Sequence, residues 1–478
     1  MSTSWSSTSA RTVFPRLVIA GTAGDAGKTI VSLALLAAAR RKGLAVRAFK
    51  KGPDYIDAAW LTWAAGSPAR NLDLFLMGAD TVKESFARNA APDGFNLIEG
   101  NRGLYDGMDA LGSASTAELA KVLTAPVVLV LNATKVTRSV AAWVLGFQKL
   151  DPDVRIAGVI LNQVAGERHE QVMREAIQSA CGIPVLGAIP RVRGDNMLPD
   201  RHLGLVTPSE HPAAADLAQR LLDRVASRLD IERLVAIARS VPSRDRQGAE
   251  PRAVSLSFPL TIAYLHDSAF TFYYPDNLEA LEAAGARLIP FSSLAGTPLP
   301  ADIHALYIGG GFPETHAPRL SANRAFLNSL RAAAASGLPI YAECGGLMLL
   351  SRAIWWQGQR HEMSGVLPFD VEVCATPQGH GYSVLSVDAS NPFFAQGTTL
   401  RGHEFHYSRP VEGSQRPPTA CAVLRGSGSF AGRDGVVVSN VWASYTHLHA
   451  LGAPEWAGGF IRAAQRQSNS LHTQGGSP

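Results

Sequence analysis

The chain has 478 residues, 46% hydrophobic and 18% charged, with a formal net charge of +4. That length suits two or three globular domains, and so small a charge, without a run of like charges, leaves no electrostatic footprint for nucleic acid. Cys181, Cys344, Cys374 and Cys421 form no C-x-x-C pair, which argues against a disulfide framework or zinc site and for a reducing cytoplasm. Residues 1–15 read as a disordered tail without a signal-peptide pattern. The longest apolar runs, such as Ala125 to Leu131, are too short for a membrane span and read as buried strands.

In chain order, strand patterns at Leu17–Ala20, Val46–Phe49, Asn96–Ile98, Val127–Leu131 and Ala157–Leu161 alternate with helical ones such as Lys28–Lys42. This order predicts a parallel sheet with helices on both faces, over residues 16–242. Gly21-Thr-Ala-Gly-Asp-Ala-Gly-Lys-Thr29 follows the first strand and opens the first helix. A loop of this kind, here with Gly24 and Gly27, turns backbone N–H groups toward phosphates. Lys28 then reaches the outer phosphates of ATP and Thr29 holds Mg²⁺. The strict pattern places Gly where Thr22 stands, so the strand–loop–helix context carries the assignment. Asp54 and Glu99 close later strands, where ligands of open parallel sheets collect, and are expected to join Thr29 at the metal. Asp57 either caps the following helix or faces a substrate.

The polar stretch 243–258 reads as a linker. A second α/β series over 259–465 begins with Thr261-Ile-Ala-Tyr264 and continues through Ala305–Ile308 and Leu338–Tyr341; residues 466–478 read as a disordered tail. Ile340-Tyr-Ala-Glu-Cys-Gly-Gly-Leu347 has the form of a nucleophile turn, with Cys344 at its tip and a helix N-terminus favouring the thiolate. Gly309-Gly-Gly-Phe-Pro-Glu314 can present an oxyanion hole through Gly310 and Gly311 with the amide of Gly345. A base is expected from Thr446-His-Leu-His449, either His447 or His449.

Gly21 to Thr29, Lys50-Lys-Gly-Pro-Asp-Tyr-Ile-Asp57, Arg70-Asn-Leu-Asp73 and Glu99 to Gly107 together resemble the cobyrinic acid a,c-diamide synthase family. Its synthetase half is similar to dethiobiotin synthetase. Partition ATPases of the ParA/MinD type share the broader fold but carry a signature Lys where Ala23 stands here. The second half resembles class I glutamine amidotransferases, also through Asp267–Asn277 and Arg401–Ser408. The implied fold is a P-loop parallel-sheet domain followed by an amidotransferase-like α/β domain. By this resemblance Asn162 reads adenine, and His447 is the base paired with Cys344. The Glu that orients the base in class I enzymes is replaced by His449, so a dyad or another acid must serve.

The resemblance implies amidation of tetrapyrrole carboxylates with ATP, Mg²⁺ and L-glutamine. A carboxylate is a poor electrophile, so phosphoryl transfer to form an acyl phosphate is expected. The acceptor is cobyrinic or hydrogenobyrinic acid at side chains a and c, or sirohaem or sirohydrochlorin, to which Asn101-Arg102 points. Tyr55 and Ile56 would pack on the macrocycle beside Asp57, and Arg102 would fork onto a carboxylate. No nucleic-acid or membrane partner is expected, and a homodimer stays open. The contrasting class is a nucleotide-regulated scaffold with an inactive glutaminase.

Overall fold

The computed structural model describes residues 14–191, 200–201, 204–205, 212–241, 260–411 and 416–474. They divide into two compact units: one holds the described residues up to 241 except 75–77, and the other holds 75–77 and those from 260 on. The expected linker 243–258 lies outside the described residues.

The first unit is built on β1 (Arg16–Gly21), α1 (Lys28–Arg41), β2 (Val46–Lys51), α2 (Ile56–Ala65), β3 (Arg70–Leu72), α3 (Leu74–Asn89), β4 (Phe95–Gly103), α4 (Thr116–Val122), β5 (Val127–Asn132), α5 (Ser139–Leu150), β6 (Ile156–Val164), α6 (Glu167–Cys181) and β7 (Val185–Pro190). A two-stranded hairpin of β8 (Asp200–Arg201) and β9 (Gly204–Leu205) precedes α7 (Pro212–Ala226) and α8 (Ile231–Arg239). The main sheet is parallel, in the order β3-β2-β4-β1-β5-β6-β7. Central strands such as β1 and β5 are near-continuous apolar runs, as befits a parallel sheet covered by helices. Ile19, Lys50 and Glu99 are aligned on neighbouring strands, with Ile19 opposite Glu99 and Glu99 opposite Lys50. This register gathers the ends of three strands beside the loop that follows β1.

The second unit has β10 (Leu260–Leu265), α9 (Pro275–Ala283), β11 (Ala286–Phe291), β12 (Ala305–Ile308), α10 (Ala317–Ala322), α11 (Arg324–Ala335), β13 (Ile340–Glu343), α12 (Gly345–Leu350) and α13 (Glu455–Gln474). Its large sheet begins as β11-β10-β12-β13 and strand Val441–Ser444, all parallel. It continues antiparallel through Arg433–Val438, Thr419–Arg425, Gly379–Val387, Thr399–His406 and His447–Leu448. Tyr307 and Tyr341, cross-strand partners, turn one face toward α13, where Trp456 meets them at 5.5 and 5.6 Å between ring centroids. Such edge contacts add roughly 0.5–1.5 kcal/mol each beyond the area they bury.

Both expected tails need correction where they are described. Phe14 is buried, and Pro15 accepts the backbone N–H and side-chain amide of Asn96. Residues 466–474 continue α13 instead of leaving it at Gln465. Ala463 and Ala464 bury the inner face of that helix, and the buried Gln467 donates to the Ser336 carbonyl at 3.3 Å. Polarity misled here, because a polar helix end docked by one satisfied amide reads like a tail. A chain ending at Gln465 should therefore melt about 2–4 °C lower than one ending at Gln474, a shift of the size expected for ~1 kcal/mol in a unit of this length. Equal melting curves by calorimetry would contradict this.

Candidate functional site

In the first unit, α1 begins directly after Gly27, whose φ of 94° suits glycine. A Cβ there would lie 2.1 Å from Asn162 Nδ2. Asn162 donates through Nδ2 to the Ala26 carbonyl at 3.0 Å, while its Oδ1 accepts from the Gln163 N–H at 3.0 Å. The amide thus ties the loop to β6. Next to it lies a cavity of about 530 Å³, lined among others by Thr134, Val136, Gln163, Ala165, His169 and Arg191. Lys28 folds back over the loop and donates to the Ala23 carbonyl at 3.1 Å. Burial, and then Lys50, lower its pKa. Gly24 faces open space.

Thr29 Oγ1 donates to Glu99 Oε1 at 3.0 Å, bringing two of the expected metal ligands together. Glu99 is fully buried, and its Oε2 takes no hydrogen bond among the described residues. Hard oxygens with spare lone pairs are what Mg²⁺ selects, usually one or two carboxylates completed by phosphate oxygens. The residues present fit that ion.

Lys50, which the sequence reading left without a role, lies at the centre of this cluster. Its Nζ is 2.8 Å from Glu99 Oε1, 2.5 Å from Asp57 Oδ2 and 3.7 Å from Asp54 Oδ2. Burial opposes its charge, yet Asp57, Glu99 and Asp54 outweigh it and hold its pKa well above the usual lysine value. Burial and the neighbouring Asp57 push Asp54 up to about 7. Asp57 is depressed because Lys50 outweighs its own burial. Asp57 does not cap α2 but stands inside it, after the N-cap Tyr55, and its N–H is accepted by Asp54 Oδ1 at 2.9 Å. Tyr55 and Ile56 are partly buried, with Ile56 packed against the core of this unit. Arg102 is exposed, with a left-handed backbone at φ 50°.

In the second unit, Cys344 stands between β13 and α12 at φ 47° and ψ −98°, outside the ordinary regions for a side-chain-bearing residue. Its N–H is held by the Ser444 carbonyl at 2.7 Å. The expected oxyanion loop is beside it: a Cβ on Gly345 would lie 3.1 Å from the Gly311 nitrogen. A Cβ on Gly310 would lie 2.5 Å from His447 Cε1 and 3.3 Å from Nε2. Gly310, Gly311 and Gly345 therefore stand where the thiol turn meets the imidazole.

The helix N-terminus was expected to favour the thiolate, and the surroundings of the thiol work in the opposite direction. Burial and then the Glu314 carboxylate push the Cys344 pKa well above the usual thiol value, and the Gly345 N–H only partly opposes them. The N-terminus of the short helix α12 does not reverse that direction.

His447 is buried, with Nδ1 3.4 Å from Glu343 Oε2. His403 lies opposite it across the strands and stacks on it, ring centroids 5.0 Å apart. Burial, and then His447 and His449, hold the His403 pKa well below 6.5, so that ring is neutral. His449 turns elsewhere: its Nδ1 accepts the Leu451 N–H at 3.2 Å, its ring lies 4.5 Å from Tyr274, and Nε2 is 3.8 Å from Asp276. Asp434, also missed from sequence, accepts from Ser444 Oγ at 2.7 Å and from the Tyr445 and Thr446 N–H groups at 3.3 Å each. It fastens the segment that delivers His447. Glu343 was visible inside the cysteine motif, but adjacency to the nucleophile gave no sign that it turns toward the histidine.

Residues 17–206 match the family described as CobQ/CobB/MinD/ParA nucleotide binding domain, and residues 261–455 that described as CobB/CobQ-like glutamine amidotransferase domain. A cobyrinate a,c-diamide synthase of Magnetococcus marinus is 44% identical over 448 residues, covering 93% of this chain and 96% of the relative. One of Syntrophotalea carbinolica is 42% identical, covering 95% and 99%. An archaeal one, of Archaeoglobus fulgidus, is 38% identical, covering 95% and 98%.

The close approach at Gly27 yields a test of the phosphate loop. Gly27→Ala should weaken ATP binding by about tenfold or more, since its Cβ displaces Asn162 and strains a left-handed residue. Titration calorimetry with native affinity in this variant would contradict that geometry.

Proposed function

As the chain belongs to the cobyrinate a,c-diamide synthase family, we propose that it converts the a and c carboxylates of cobyrinic or hydrogenobyrinic acid into amides, using ATP and glutamine. The observation that supports this reading best is the presence in one chain of two different sites. One is a phosphate loop beside a buried carboxylate cluster; the other is a strained cysteine turn facing a buried imidazole.

In the glutaminase unit, the Cys344 thiol attacks the side-chain carbonyl of glutamine while His447 Nε2 takes the thiol proton. Backbone N–H groups from the Gly310–Gly311 loop and Gly345 meet the developing oxyanion. His447 returns the proton to the leaving nitrogen, ammonia departs, and water cleaves the thioester to glutamate. In the synthetase unit, an oxygen of the acceptor carboxylate attacks the γ-phosphorus of ATP and ADP leaves. Ammonia then attacks the acyl carbon and phosphate leaves, giving the amide. Lys28 stabilises the transferring phosphoryl group. Thr29, Asp54 and Glu99 would hold Mg²⁺, which would neutralise charge on the phosphates when bound. The cavity beside Asn162 and Gln163 suits the nucleobase. Tyr55, Ile56, Asp57 and the exposed Arg102 would contact the acceptor, Arg102 through a carboxylate.

Two variants separate the halves. Lys28→Ala should abolish amidation with glutamine or ammonium. Cys344→Ser should lose only the glutamine-dependent reaction and keep amidation with concentrated ammonium. Product mass is read with cobyrinic acid and, in parallel, with sirohydrochlorin. Near-normal amidation by Lys28→Ala would remove the loop from the chemistry. A mass gain confined to sirohydrochlorin would replace the proposed acceptor.

A further inference from the structure

We infer that Glu343, the residue immediately before the nucleophile, is the positioning acid that orients His447, taking the place of the carboxylate that class I enzymes carry two residues after the histidine. The inference rests on the reading of Cys344 and His447 as the glutaminase pair.

The fold explains how a residue from the nucleophile strand reaches the base. β13 and strand Val441–Ser444 run parallel, with Glu343 opposite Ser444. Three residues later the second strand delivers His447. Side chains alternate along a strand, so Tyr341 and Glu343 share one face and the turn throws Cys344 away from it. On that face Glu343 is fully buried and well supplied with donors. Oε1 accepts from Tyr341 Oη at 3.2 Å and from the Leu448 N–H at 3.1 Å. Oε2 accepts from Tyr307 Oη at 3.3 Å and faces His447 Nδ1 at 3.4 Å. The Leu448 amide is the next residue after the base, so one carboxylate grips both the imidazole and the backbone that carries it.

The chemical consequence is the tautomer. With Nδ1–H donated to Glu343, Nε2 keeps its lone pair on the side of Gly310, where the thiol proton must go. A donor separation of 3.4 Å is long at rest, and such contacts tighten when substrate closes the site. Three other buried carboxylates of this unit have different partners. Asp276 faces His449, and Asp434 holds Ser444, Tyr445 and Thr446. Glu404 accepts from the Ser427 and Gly428 N–H groups.

The test compares Glu343→Gln, Glu343→Asp and Cys344→Ser in the full chain. Each is assayed for glutamine hydrolysis, ammonium-dependent amidation, and labelling of Cys344 by a diazoketone glutamine analogue. Glu343→Gln should lower the glutaminase kcat by about 100-fold, the scale of a misoriented general base. Its KM for glutamine should stay within about twofold, its labelling rate should fall with kcat, and its ammonium-dependent amidation should persist. Glu343→Asp should recover part of the lost kcat, because a carboxylate is restored. Native kcat in Glu343→Gln, with Cys344→Ser inactive toward glutamine, would overturn this inference alone. Parallel losses in KM, ammonium-dependent amidation and melting temperature would also overturn it, by showing a structural role. Persistent glutamine hydrolysis in Cys344→Ser would overturn the underlying pair as well.

Discussion

The candidate glutaminase site depends on one strained residue. Cys344 holds a conformation that costs of the order of 1–3 kcal/mol and survives only when its surroundings enforce it. Two backbone bonds do so: its N–H to the Ser444 carbonyl at 2.7 Å, and its carbonyl to the Met348 N–H at 3.1 Å. The first locks the turn to the strand that leads to His447. The second begins α12. Small residues follow from that geometry, since Gly345 closes on the Gly311 nitrogen and Gly310 closes on the imidazole. The thiol turn, the candidate oxyanion loop and the candidate base thus follow three neighbouring parallel strands, β13, β12 and Val441–Ser444.

The two units solve opposite electrostatic problems. Around Cys344 the carboxylates of Glu314, Glu343 and Glu404 join burial in suppressing the thiolate. Both act in one direction, against ionisation of the thiol, so under the proposed mechanism the orientation of the base matters. Around Lys50 three carboxylates surround one ammonium. Removing one partner from such a buried cluster typically costs 3–5 kcal/mol, because the remaining charge is left uncompensated. One ammonium does not cancel three carboxylates: burial and repulsion from Asp57 still push Asp54 up to about 7, while Lys50 holds Asp57 down.

Much of the fold was legible because both units begin with parallel strands, whose uninterrupted apolar runs need no long-range information. Val46–Phe49 extends to Lys51 and Asn96–Ile98 to Gly103, and these extensions carry the residues that matter, Lys50 and Arg102. The antiparallel half, from Gly379 to Val438, was not foreseen. Its strands interleave Gly and polar residues with apolar ones, and His403 and Asp434 gain meaning only from pairings more than forty positions apart or across a turn. The fate of Glu343 was hidden for the same reason. Its side-chain direction is set by strand alternation, but its partner is set by the register of a strand about a hundred residues later.

The central chemical claim is that the acceptor carboxylate is activated by phosphoryl transfer in the first unit and not by direct attack of ammonia. It is tested by labelling the side-chain carboxylates of the acceptor with ¹⁸O and analysing the phosphate released with ATP and ammonium. The account predicts one ¹⁸O atom in inorganic phosphate for each amide formed. Unlabelled phosphate alongside normal amide formation would contradict it.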